Sequence, residues 1–161
     1  MNLLSSRPDV SRLERRHSLT IRIMQKKTTA IIDLLPRGDV KHYQNVLKCF
    51  DYCNQNNFTV GKDAVFTALP TTLDWHEANK DEKDNIIRLT SDEFSDIVIY
   101  SVADLNLPVK GFHELIYTLQ VGGIELHSVR GGGNTASSLG RLALNMSAIF
   151  AEHDCNLKNY D

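Results

Sequence analysis

The run Asp96-Ile97-Val98-Ile99-Tyr100-Ser101-Val102 constrains this chain more than any other stretch. Its nearly continuous apolar character suits a central strand covered on both faces, and such a strand needs layers above and below it. The flanking sequence supplies them. Ala30-Ile31-Ile32-Asp33-Leu34-Leu35 is a second apolar run, and Pro36-Arg37-Gly38 stops it, as a strand followed by a turn. Asp39 suits an N-cap. Val40, Tyr43, Leu47, Phe50 and Cys53 then recur at spacings of three and four, which predicts a helix with one apolar face, ended by Asn54 to Asn57. Phe58 to Leu69 is expected to hold another strand. Thr71 to Thr90, largely polar, with Trp75 and a charge run from Lys80 to Asp84, reads as a long loop and a short exposed helix.

Pro108 opens a helix whose buried face is Phe112, Leu115, Ile116 and Leu119. Gly122-Gly123 breaks it ahead of a strand from Ile124 to Val129. Arg130-Gly131-Gly132-Gly133-Asn134 reads as a flexible hinge, and the chain closes with a helix over about 138–158. Leu139, Leu142, Met146, Ile149, Phe150, His153 and Leu157 form one stripe on it. The alternation predicts an α/β fold: a sheet with helices on both faces plus a long C-terminal helix. The stripe leaves two alternatives open, a helix folded back on its own sheet or a seam covered by a partner molecule.

At 161 residues, 42% apolar and 24% charged, the chain is expected to form one globular domain without a membrane span. Cys49, Cys53 and Cys155 form no CxxC pair, and the helical spacing of the first two fits half-buried core thiols, hence a reducing compartment, most simply the cytoplasm. Residues 1–28 carry seven Arg and Lys against Asp9 and Glu14, so a chain of net charge −2 has a basic extension at +5 and a body, residues 29–161, at −7. Such an extension, with Arg12, Arg15 and Arg16, contacts nucleic acid phosphates, serves as a transit peptide, or forms a solvated helix. His17, His42, His76, His113, His127 and His153 are scattered without metal-ligand spacing, so neither metal nor cofactor is expected. The triple glycine lacks the Lys-Ser/Thr of a P-loop, and Ser137 and Ser138 read as helix-capping residues.

Gly131 to Glu152 carries Thr135, Gly140, Arg141, Ala148, Ala151 and Glu152 in an order and spacing that resemble the resolvase/invertase serine recombinases. There the pattern is Asp-Thr-x-Thr-x-x-Gly-Arg, an apolar stretch, then Ala-x-x-Ala-Glu. Asp96 to Val102 followed by Leu105, and Gly123-Ile124, resemble the family's strand ahead of Asp-Arg-Leu-x-Arg and the start of its next strand. The resemblance covers about Ala30 to Lys158 in element order and is specific in the last 60 residues. It implies the family's resolvase-like three-layer catalytic-domain fold.

The family's chemistry is a serine hydroxyl that forms a phosphoseryl bond while arginines neutralise the phosphate. Against the pattern Tyr-x-Arg-Val-Ser-Thr this chain reads Asp33-Leu34-Leu35-Pro36-Arg37-Gly38, so Asp33, Leu35 and Arg37 stand at the tyrosine, arginine and serine positions. Against Asp-Arg-Leu-x-Arg it reads Ala103-Asp104-Leu105-Asn106-Leu107, which puts Ala103, Asp104 and Leu107 where a carboxylate and two arginines belong. No serine lies between Thr28 and Thr90, so a shifted alignment restores nothing. No helix-turn-helix domain is expected after the long helix. The resemblance therefore implies a relative without the family's cutting chemistry, acting through self-association or a partner such as a recombinase, with DNA contact possible at Arg141. Two other functions stay open: a recombinase or nuclease with a displaced nucleophile, and a non-specific DNA binder using the basic extension.

Overall fold

The computed structural model describes residues 27–35, 38–69 and 79–158. The expectations for the basic extension, for Arg37, Trp75 and His76, and for Arg12, Arg15 and Arg16 lie outside the described residues. Four strands, β1 (Thr28–Ile32), β2 (Val60–Phe66), β3 (Phe94–Ile99) and β4 (Glu125–Ser128), form one parallel sheet in the order β2-β1-β3-β4. Their connections are the helices α1 (Val40–Gln55), α2 (Lys80–Leu89) and α3 (Val109–Val121), and α4 (Ser138–Lys158) ends the described chain. A single 3-10 turn, Val102–Leu105, follows β3.

This is the α/β architecture that the alternation predicts, and β3 is an inner strand as its apolar run requires. Because a strand buries alternate residues on opposite faces, Ile97 and Ile99 enter one cluster and Val98 the other. The larger cluster, with Phe94, Phe112, Leu119, Ile124, Leu126 and Leu144, lies on the face of α3 and α4. The smaller one joins Ile31 and Val98 to Cys49 and Cys53 of α1.

α1 turns a different face inward from the one its apolar spacing predicts. Val40, Tyr43 and Leu47 are not the buried side of α1 but its solvent side, at 69%, 61% and 63% exposure. The buried stripe is His42, Asn45, Cys49 and Cys53. Both stripes have helical spacing; the second wins because its polar members find carboxylate partners at the carboxyl end of the sheet while its thiols fill the space above Ile31 and Val98.

The glycine-rich stretch is held in place at its end, from Gly133 on. The Ser128 amide donates to the Gly133 carbonyl at 2.8 Å and the Thr135 amide to the Leu126 carbonyl at 3.0 Å, so 133–135 covers the free edge of β4. A Cβ on Gly133 would stand 2.8 Å from Leu144 Cγ, and one on Gly140 would stand 2.6 Å from the Asn134 carbonyl. At the opposite edge the Arg88 guanidinium of α2 donates to the carbonyls of Lys62 and Asp63 at 2.7 and 2.6 Å and to Glu93 at 2.7 Å, tying down a bulge in β2. The short exposed helix expected near Lys80 is α2, closed at its start by a reciprocal capping box between Asn79 and Glu82.

Candidate functional site

In the order β2-β1-β3-β4 the chain leaves β1 toward one side and β3 toward the other, so the ends of β1 and β3 flank a topological switch point, where open parallel sheets place ligands. Asp33 follows β1 there. Its amide donates to the Phe66 carbonyl at 2.9 Å, and its Oδ1 accepts the Leu35 amide at 3.1 Å, which fixes the carboxylate as an Asx-type turn. Oδ2 faces His42 Nδ1 at 2.8 Å. The Asp33 side chain is 3% exposed, and neither of these two facing atoms has any other partner among the described residues. The contact therefore joins β1 to the first turns of α1.

Asp104, on the 3-10 turn after β3, accepts the Asn45 side-chain amide at 3.2 Å. Burial pushes its carboxyl above the usual aspartate range, and the Asp33 carboxylate pushes it further, while Arg130 and Lys41 pull it down. Leu35 and Leu107 are half-buried, Leu107 against the larger core cluster, and Ala103 is exposed. The described positions that the resemblance sets against the family's catalytic residues lie at the carboxyl end of the sheet, after β1 and β3. Among the described ones the groups gathered are two carboxylates, two leucines and an alanine, which can orient an imidazole and an amide but offer neither a hydroxyl nucleophile nor a guanidinium.

A second His-Asp pair, partly buried, joins β3 to β4. His127 Nε2 of β4 lies 2.8 Å from Asp96 Oδ1 of β3, Ser95 Oγ donates to the same carboxylate at 2.6 Å, and His127 Nδ1 is 3.4 Å from the Tyr52 hydroxyl of α1. Phe58 covers the imidazole with its ring centroid 5.1 Å away. The His127 hydrogen bond is the main reason that the Asp96 carboxyl lies below its ordinary range. No sequence signal marks either His-Asp pair, because each joins residues far apart in the chain.

Three of the residues that carry the sequence resemblance, Thr135, Gly140 and Ala148, have packing roles. Thr135 Oγ1 accepts the Leu126 amide at 2.8 Å and bonds the Glu125 carboxylate; Gly140 permits the close approach to Asn134; Ala148 is buried. Ser137 Oγ accepts the Gly140 amide at 3.0 Å, capping α4 as expected of a serine there. Arg141 is exposed, in a groove between α3 and α4 with His113, Tyr117 and Asn145. Leu139, Leu142, Met146, Ile149, Phe150, His153 and Leu157 are all exposed along α4, while Leu144 and Ala148 face the body.

No family model matches the sequence, and no curated protein matches it closely enough to count. Among solved structures the N-terminal catalytic domain of TP901-1 integrase is similar over 81% of this chain and 98% of that one, with a TM-score of 0.56 at 15% identity. In fold, therefore, this chain is similar to the catalytic domain of a serine integrase.

Proposed function

We propose that this chain is a recombination-related protein that does not exchange strands by the serine mechanism and works by association through α4, with a second copy of itself as the first partner. The observation that carries the reading is the split character of α4. Its Leu144 and Ala148 side is buried in the body, and six large apolar residues on its outer side stay in water, Leu139 at 77% and Phe150 at 61% exposure. Leaving that much apolar surface wet along one stripe is unfavourable by about 25 cal/mol per Å², and a partner surface removes the cost. The absence of family chemistry is supported by the switch-point residues: Asp33 and Asp104 add negative charge where a phosphate would need neutralisation, and Leu35 and Leu107 supply none.

A subunit of this kind would cap or poison an assembly of cutting recombinase subunits. Light scattering over a concentration series tests the association. The expected result is a mass above 18.2 kDa for the chain and a return to the monomer for Met146→Glu or Phe150→Glu. A monomer at every concentration would sink the reading. Nicking of supercoiled plasmid by the purified chain, lost on substitution of a named residue, would overturn the non-cutting half of it.

A further inference from the structure

The contact between Asp33 and His42 has the spacing of a hydrogen bond without its alignment. Oδ2 and Nδ1 stand 2.8 Å apart, yet neither atom forms a hydrogen bond, with the other or with any described residue. The two side chains are 3% and 10% exposed, so bulk water reaches neither atom freely. A buried carboxylate oxygen and a buried ring nitrogen in this state are costly, and an ion between them is one of the few arrangements that satisfies both.

The charge around the pair points the same way. Asp104 lies close by, held by Asn45 from the next turn of α1, and its carboxyl is pushed up by burial and then by the Asp33 charge. Lys41 and Arg130 act on Asp104, whereas Asp33 has no ion pair with a lysine or arginine among the described residues. Two ligand atoms at right angles about an ion, with bonds of about 2.0–2.1 Å, are roughly 2.8–3.0 Å apart. The observed separation falls in that range.

We infer that Asp33 Oδ2 and His42 Nδ1 together bind a divalent first-row transition ion, with Asp104 adding negative charge beside it. An imidazole nitrogen next to a carboxylate selects Mn2+, Co2+, Ni2+ or Zn2+ over Ca2+, which takes oxygen ligands. No third His, Cys, Asp or Glu among the described residues is placed to join them, so water completes the coordination. The ion ties the first turn of α1 to the end of β1 at the topological switch point, where open parallel sheets take ligands. No motif spacing announces the pair, because one member ends a strand and the other opens the next helix. His127 supplies the contrast: its Nε2 is bonded to Asp96 and its Nδ1 to the Tyr52 hydroxyl, which leaves no ring nitrogen for a metal. Ion binding is separate from association through α4, and either can fail while the other stands.

The test is a titration of the full chain, stripped of metal with EDTA, with MnCl2 while the histidine ring signals are followed by NMR. The paramagnetic ion should broaden His42 first and saturably, at concentrations that leave His127, His113 and His153 sharper. Asp33→Asn and His42→Gln should each raise the Mn2+ dissociation constant about tenfold or more, with circular dichroism unchanged. Should either variant lose its fold, the order of broadening in the parent chain decides alone. Broadening that begins at any other histidine, the absence of saturable broadening, or a constant unchanged in both folded variants overturns the inference.

Discussion

At the scale of single residues, burial decides reactivity. Cys49 and Cys53 are each 1% exposed, and burial raises their thiols to about 12 and about 11, with nearby carboxylates adding to it. The thiolate is the reactive form, so at pH 8 a thiol reagent should label one cysteine of the native chain, the exposed Cys155, and the other two only on unfolding. Rapid labelling of all three, counted by mass spectrometry, would show that α1 opens readily. Asp96 supplies a pH signature. Its folded carboxyl lies below its unfolded value, so its hydrogen bond to His127 contributes stability above the unfolded value, near about 3.9, and that contribution is lost as pH falls through the folded value. Asp96→Asn should therefore cost about 1 kcal/mol or more at pH 6, the net worth of a charged hydrogen bond discounted for a side chain 20% exposed, and the gap to the parent should narrow below about pH 4. Urea unfolding at the two pH values reads it directly.

At the scale of elements, α4 is set by what precedes it. Asn134 Oδ1 accepts the Ser137 amide at 3.1 Å, Ser137 caps the helix, and the absence of a side chain at Gly140 lets the first turn sit against the Asn134 backbone. Gly140→Ala would push a Cβ to 2.6 Å from that carbonyl, backbone that cannot simply rotate away, and should destabilise by about 1–3 kcal/mol although alanine is the better helix former. An unchanged urea midpoint would mean that the loop yields, restoring the hinge reading. α1 shows the converse, an element whose orientation follows from its neighbours: Asp33 and Asp104 draw His42 and Asn45 inward, and an apolar stripe is left in water.

At the scale of the whole molecule, the two sides of α4 should separate in experiment. Leu144 is fully buried in the larger cluster, so Leu144→Ala is expected to cost about 2–5 kcal/mol of unfolding free energy, because it empties part of the core that the sheet, α3 and α4 share. Phe150→Glu acts on the other side and should leave the stability of the monomer nearly unchanged while lowering the solution mass. Equal losses of stability from both substitutions would place the outer stripe inside the folding unit. The parallel sheet also brings Asp33 and Asp104, 71 positions apart in the sequence, to its common carboxyl end, because β1 and β3 are direct neighbours.

The sequence by itself determined the class of the fold, since a nearly continuous apolar run has to be covered on both faces, and it determined the long last helix and the residues of its apolar stripe, because local periodicity is enough for both. Only the tertiary structure decided which stripe of α1 turns inward, that the stripe of α4 faces away from the body, that Gly133 is packed against Leu144, and that two histidines are paired with aspartates. These depend on partners that chain distance hides: His42 needs the end of β1, Gly133 needs Leu144, and His127 needs Asp96 on the neighbouring strand. Periodicity records how apolar a face is, whereas the sheet decides which face has a hydrogen-bond partner waiting, and in α1 that second consideration prevailed.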